Sequence, residues 1–202
     1  EINYGLVTGM TLNFTRDECT LQGTMLGKAL VDNQALTSLT SSDEIALIPV
    51  MPTQVAIYLA DTAAGLAGAT ALSRAFSGSF TLENLTGPIY PLNQSSSFAA
   101  MVEIEPTGTA QFMAAVDAEG MAPLTNLRAG STKFMRIKAL GALISGADYY
   151  SLIVDAALKI TRPQEFRDEQ GVYAVGWEGE LTHDSTWGKA CEIAVINTLT
   201  AL

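Results

Sequence analysis

His183 is the chain's single histidine, and it is followed at once by Asp184 between two strand-like runs. An imidazole beside a carboxylate is the smallest unit of general-base catalysis or metal ligation. No second histidine exists to complete a two- or three-histidine metal site, so the pair reads as a capped surface turn. Glu103 and Glu105 are two residues apart, as are Glu178 and Glu180, which puts each pair on one face of a strand. Two such carboxylates could share acid and base roles, but same-face acids more often line a solvated wall. A nucleophile needs a nearby base, and the chain has neither a Gly-x-Ser-x-Gly turn nor a glycine-rich phosphate loop. Asp168–Gly171 is too short for a calcium loop. Cys19 and Cys191 lie far apart in strand-like runs and read as free, buried thiols. No catalytic residue, cofactor site or metal site is expected.

The elements that carry these residues are strands. Met10, Leu12 and Phe14 alternate with polar neighbours, as do Phe76, Phe80 and Leu82, and Val55, Ile57 and Leu59 alternate with Ala56 and Tyr58. Period-two alternation predicts half-buried strands. Further strands are expected over 98–105, 109–117 and 132–144. In the run 149–161, Leu152, Val154, Ala156, Leu158 and Ile160 share one face, and Pro163 is expected to end that strand. A polar turn over 162–171 then leads to Tyr173, Val175 and Trp177. A last strand carries Ile193 and Val195, joined to its predecessor as a hairpin through the turn 182–190 and anchored by Trp187. Residues 62–72 predict one short helix or a loop, and 121–130 a helical turn ended by Gly130. The stretch 32–44 reads as a projecting loop. Residues 84–97 concentrate Gly, Pro and Ser and read either as a boundary or as a strand crossover.

The result is an all-β chain, a β-sandwich or barrel of about ten strands with one or two short helices, organised over 1–202 as one β domain. Because residue 1 is Glu1 rather than Met, an N-terminal part is expected to be missing. No apolar run reaches the length of a membrane span. Charged residues make up only 16% of the chain, well under the roughly 25% usual for soluble domains. That deficit points to surfaces buried against other subunits. The net charge of −10 argues against ordinary nucleic-acid binding, which uses Lys and Arg to neutralise phosphates. Residues 1–61 hold seven acids and two bases, residues 164–202 hold seven and two, and the middle is balanced at seven and seven. If the two ends meet, they form one acidic face. Trp177 and Trp187 read as packing anchors, because a stacking platform for single strands would need a basic groove.

The runs PVMPTQVAIYL (49–59), SRAFSGSFTLENLTGPIYPLNQSSSFAAMVEIEP (73–106) and THDSTWGKACEIAVINTLTAL (182–202) resemble the major tail tube proteins of long, non-contractile-tailed bacteriophages. The resemblance covers most of the chain in texture and strand order. It implies a β subunit whose sheets join those of its neighbours into a ring, with rings stacked into an acidic tube through which DNA leaves the capsid. It implies partners as well: further copies of the chain, a tape measure protein and passing genomic DNA in the lumen without specific binding, and tail terminator and distal tail proteins, with no membrane. Localisation would be the virion tail, assembled in the host cytoplasm. Glu103, Glu105, Glu178 and Glu180 are then the lumen candidates. Leu36, Leu39, Leu66, Leu72 and Trp187 are the candidates for subunit and ring contacts. The alternative is a self-assembling secreted surface, pilus or adhesion module, which the sequons at Asn13, Asn84 and Asn93 would suit.

Overall fold

A computed structural model describes residues 2–30, 50–92 and 97–198. The expected loop at 32–44, with Leu36 and Leu39, lies outside the described residues. The strands are β1 (Ile2–Phe14), β2 (Cys19–Leu30), β3 (Val55–Ala60), β4 (Ala75–Glu83), β5 (Thr86–Ile89), β6 (Ala100–Glu103), β7 (Thr107–Ala115), β8 (Thr132–Ser145), β9 (Asp148–Glu169), β10 (Val172–Leu181) and β11 (Cys191–Ile196). One helix, α1 (Pro123–Ala129), and short 3-10 turns at Pro52–Gln54 and Ala64–Ala67 complete the described elements. The chain is all-β, as its alternation requires.

Nine strands form one antiparallel sheet in the order β2-β1-β4-β7-β10-β9-β8-β3, with β11 also on β9, while β5 and β6 make a separate ribbon. Among the described residues the path ends at β2 and β3, and no barrel closes. Strand β9 turns the sheet into two layers. Its first half pairs with β8 and its second half with β10. The buried faces of β3, β8 and β9 thereby pack on those of β1, β4, β7 and β10. Ile57, Met135, Ile137, Val154 and Leu158 meet Leu12, Phe14, Phe80, Phe112, Val175 and Trp177 in one core. Gly78 serves this packing: a Cβ there would stand 2.5 Å from the Phe14 ring and 2.9 Å from the Gln111 carbonyl oxygen.

Two expectations about the C-terminal half are corrected. Pro163 does not end a strand; β9 runs through it to Glu169. Strand β8 leaves β9 at Lys159, and the β10 register slips beside Trp177, the residue opposite Pro163. The missing N–H therefore interrupts little. The turn is Gln170–Gly171 alone, with φ of 56° and 83°, the two left-handed residues of a tight hairpin that follows strand twist. Nor do β10 and β11 form a hairpin with each other. Both lie end to end along the same edge of β9. Between them, the Thr182 N–H donates to the Ala157 carbonyl and the Ala157 N–H donates to the Ala190 carbonyl. The segment 182–190 is thus an excursion out of one interrupted strand.

That excursion helps build a second, smaller core on the far side of β8 and β9. Leu66, Phe134 and Ala157 are buried there, with Trp187 packed against them edge-to-face at 5.8 Å from Phe134. Beside it, α1 begins with Pro123 and ends at Gly130 in the left-handed conformation, as its sequence predicts. The buried Lys133 ammonium donates to Asp61 at 2.8 Å, and Asn126 Nδ2 donates to the same carboxylate. The hydrogen bond from Lys133, and then its charge, hold the Asp61 carboxyl below the usual aspartate range. A lowered folded-state pKa means that this stability is present above the ordinary aspartate value of about 3.9 and is lost as pH falls through the depressed one. Asp61→Asn is expected to flatten the acid limb of an unfolding titration. Asp61→Ala, which strands a buried ammonium, is expected to cost about 1–3 kcal/mol at neutral pH in denaturant unfolding. An unchanged acid limb in Asp61→Asn would refute the assignment.

Candidate functional site

The two-layer packing decides which side of each strand meets solvent. With Leu12, Phe80, Phe112 and Trp177 turned inward, the alternate residues of β1, β4, β7 and β10 form one outer face. The registers align them in two rows. One row runs Gln22, Thr11, Thr81, Thr109, Glu180; the other runs Thr20, Asn13, Ser79, Gln111, Glu178. Eight of these ten side chains are uncharged and polar, and the two acids stand together on β10. Thr11 and Thr81 are joined across the strands by their hydroxyls at 3.4 Å. A face of short hydroxyl and amide groups stays hydrated, and the cation that borders it at Glu178, Arg162, is held by that carboxylate, which leaves little to attract a passing polyanion.

The acids divide into three situations. Glu178 accepts from Arg162 Nε and Nη2 at 3.0 and 2.8 Å, so its charge is largely met. Glu180 and Glu105 are brought together, with Glu83, around a depression of about 460 Å³ whose walls include Thr81, Thr107 and Thr109. Glu103 stands apart on β6, exposed. The sequence pairs are therefore split, and the cluster that forms combines one member of each with Glu83. Glu83 already alternates with Phe80 and Leu82 on the polar side of β4, but only the strand order places β4 near β10. Among the described residues, no group of His, Cys, Asp and Glu is arranged to hold a metal ion.

Of the candidates for subunit contacts, Leu36 and Leu39 lie outside the described residues, and Leu72 and Trp187 are half-buried. Leu66 is 2% exposed inside the second core, so it has no surface to offer a neighbour. Leu72 packs against the main core and Trp187 against Phe134. Exposed apolar groups include Ile89, Tyr90, Met101, Val102 and Ile104 on and beside the β5–β6 ribbon, Ile193, Val195 and Ile196 on β11, Leu21 and Met25 on β2, and Phe166 and Tyr173 on the β9–β10 hairpin. These segments look like ordinary strand alternation in sequence, and nothing local marks them as uncovered.

The residues that could do chemistry take part in local contacts. Asp184 Oδ1 accepts from the N–H groups of Thr186 and Trp187, so the His183–Asp184 pair is a capped turn with His183 exposed. Cys19 and Cys191 are free and half-buried, and burial pushes both thiols up, which disfavours the reactive thiolate. Trp177 Nε1 donates to the Gly120 carbonyl at 2.7 Å inside the core. Among the described residues, no helix is long and apolar enough to cross a membrane. No protein-family model matches the chain, and no curated protein is significantly similar to it.

Proposed function

We propose that the chain is a structural subunit that assembles with copies of itself into stacked rings, forming the tail tube of a long-tailed bacteriophage, with the outer face of β2-β1-β4-β7-β10 lining the channel. The observation that carries this reading is the two-row polar face: ten aligned positions without a cation, each row continuing on β9 into a cation that is already engaged, Arg162 by Glu178 and Lys159 by the Gly130 carbonyl, with the Glu83, Glu105 and Glu180 cluster at one end. A conduit for DNA must not hold it, and each lysine on the wall would add an attraction driven by counterion release. The low charge of the whole chain supports the reading, because obligate interfaces are poorer in charge than free surface. So do the open sheet ends, which invite pairing unless a neighbour covers them. The tape measure protein, tail terminator and distal tail proteins would be met in the lumen and at the tube ends.

Electron microscopy of the purified protein at rising concentration tests the reading. Rings or tubes with a channel wide enough for duplex DNA are expected. A chain that stays monomeric at every concentration, with any upstream residues of its gene restored, would refute it.

A further inference from the structure

The two ends of β4 carry opposite features. At its start, Ala75–Ser77 pair with β7 on one side only, because β1 stops at Phe14, opposite Gly78. Across from them, the outer edge of β3 is held only by the Leu72 N–H on the Ile57 carbonyl and a bridge from Tyr58 to Ala71. Val55 and Ala56 are thus without a strand on that side among the described residues. Between these two edges lies a slot of about 720 Å³, with Phe14 and Ile57 among its walls and Arg16 and Arg167 beside Asp17 and Glu169. A strand of four to five residues, at 3.3 Å rise, about 4.8 Å between strands and about 10 Å of thickness, fills roughly 600–800 Å³.

At the other end of β4 the chain leaves Glu83 for the β5–β6 ribbon. Strand β6 pairs with β5 alone, and all four of its residues are exposed. Met101, Val102 and Ile104 present apolar surface there. The ribbon is tied to β1 through the Leu85 N–H and the Thr86 hydroxyl on the Thr8 and Val7 carbonyls, while β6 pairs with β5 alone among the described residues. A two-stranded pairing is marginally stable in water, and residues 83–107 contain acids but no Lys or Arg. We propose that β6 of one copy gives up its pairing with β5 and inserts as a single strand into the slot between β3 and β4 of a second copy. A copy cannot fill its own slot with β6, since the nine residues of β4 separate the two by roughly 25–30 Å. The contact joins unlike surfaces, so it propagates head to tail. Glu103, the last residue of the donated strand, then approaches Arg16 at the slot, where Arg167 is already paired with Glu169. This inference rests on the self-assembly reading and names the joint between successive subunits.

Two classes of variant test it. Met101→Lys with Val102→Lys disables the donor, and Ser77→Trp blocks the slot, with Ala56→Arg as a second blocking variant on the opposite wall. Circular dichroism first selects variants that fold, and sedimentation velocity then follows assembly. Each variant alone is expected to stop at the unit that the wild type stacks. An equimolar mixture of one donor variant and one slot variant should form pairs of that unit and nothing longer, because one working slot meets one working strand. If the wild type assembles and the folded variants assemble equally well, the joint is wrong and the assembly reading stands. Assembly unchanged with a lowered unfolding temperature in Ser77→Trp would mean that the slot is filled from within the same chain, which also overturns the proposal. A wild type that never assembles overturns both readings.

Discussion

Replacing Trp177 with alanine is expected to destabilise the fold by about 3–5 kcal/mol, the range for emptying a large aromatic site in a packed core. Trp177 is 1% exposed and stands on β10, opposite Phe112 of β7 and Pro163 of β9. It therefore joins both layers at the point where the long strand changes partners. Its loss removes the indole contacts and also leaves the buried Gly120 carbonyl without its donor. For a chain of this length the effect corresponds to a fall of roughly 6–20 °C in unfolding temperature. Trp177→Phe separates the two contributions, keeping most of the volume while removing the N–H, and should cost less than half as much. Chemical unfolding at a concentration where the chain is monomeric is the measurement, since assembly would raise apparent stability. A cost below 1 kcal/mol for Trp177→Ala would mean that the two layers are not locked together there.

The second large effect concerns the polar face. Glu83→Lys, Glu105→Lys and Glu180→Lys together add six units of charge, taking the formal net charge from −10 to −4. If this end of the face looks into a DNA conduit, the triple variant should bind duplex DNA where the wild type does not. Its affinity should fall with salt along a log–log slope approaching −3, about −0.9 per phosphate contact. Assembled tubes of the variant should retain DNA as well. Binding that appears in dispersed subunits but not in intact tubes would place the cluster on the outside and contradict the conduit orientation. Glu178→Lys alone is a weaker test, because Arg162 already sits on that carboxylate and the change would set two cations against each other.

The strands were legible because their inward faces alternate. Leu12 and Phe14, Phe80 and Leu82, and Val154 to Ile160 all lie in the core as their spacing demands. Gly130 closes α1 for a reason equally visible in one dimension, since a left-handed residue after a short helical run is most easily a glycine. Pro163 misled because a proline breaks a ladder only where its N–H is needed, and that depends on which partner strand reaches it. The β10–β11 hairpin misled for the same reason: two consecutive strands can share one edge of a third, which no local signal distinguishes from pairing with each other. Where Leu66 packs was not legible, because a leucine in an Ala-Gly run covers whatever the fold sets beneath it, here Phe134 and Ala157.

By itself, the sequence determined the fold class: period-two alternation required strands, while its scarce charge and single histidine only raised expectations about covered surfaces and chemistry. These are properties of single segments or of the whole composition, and they do not depend on arrangement. Only the tertiary structure decided which face of each strand is wet, and so that Thr11, Thr81, Thr109 and Glu180 form a row. It also decided that Glu83 joins Glu105 and Glu180 and that the apolar β6 stands uncovered. Those facts arise from strand order and register, which are settled by packing between residues distant in the chain.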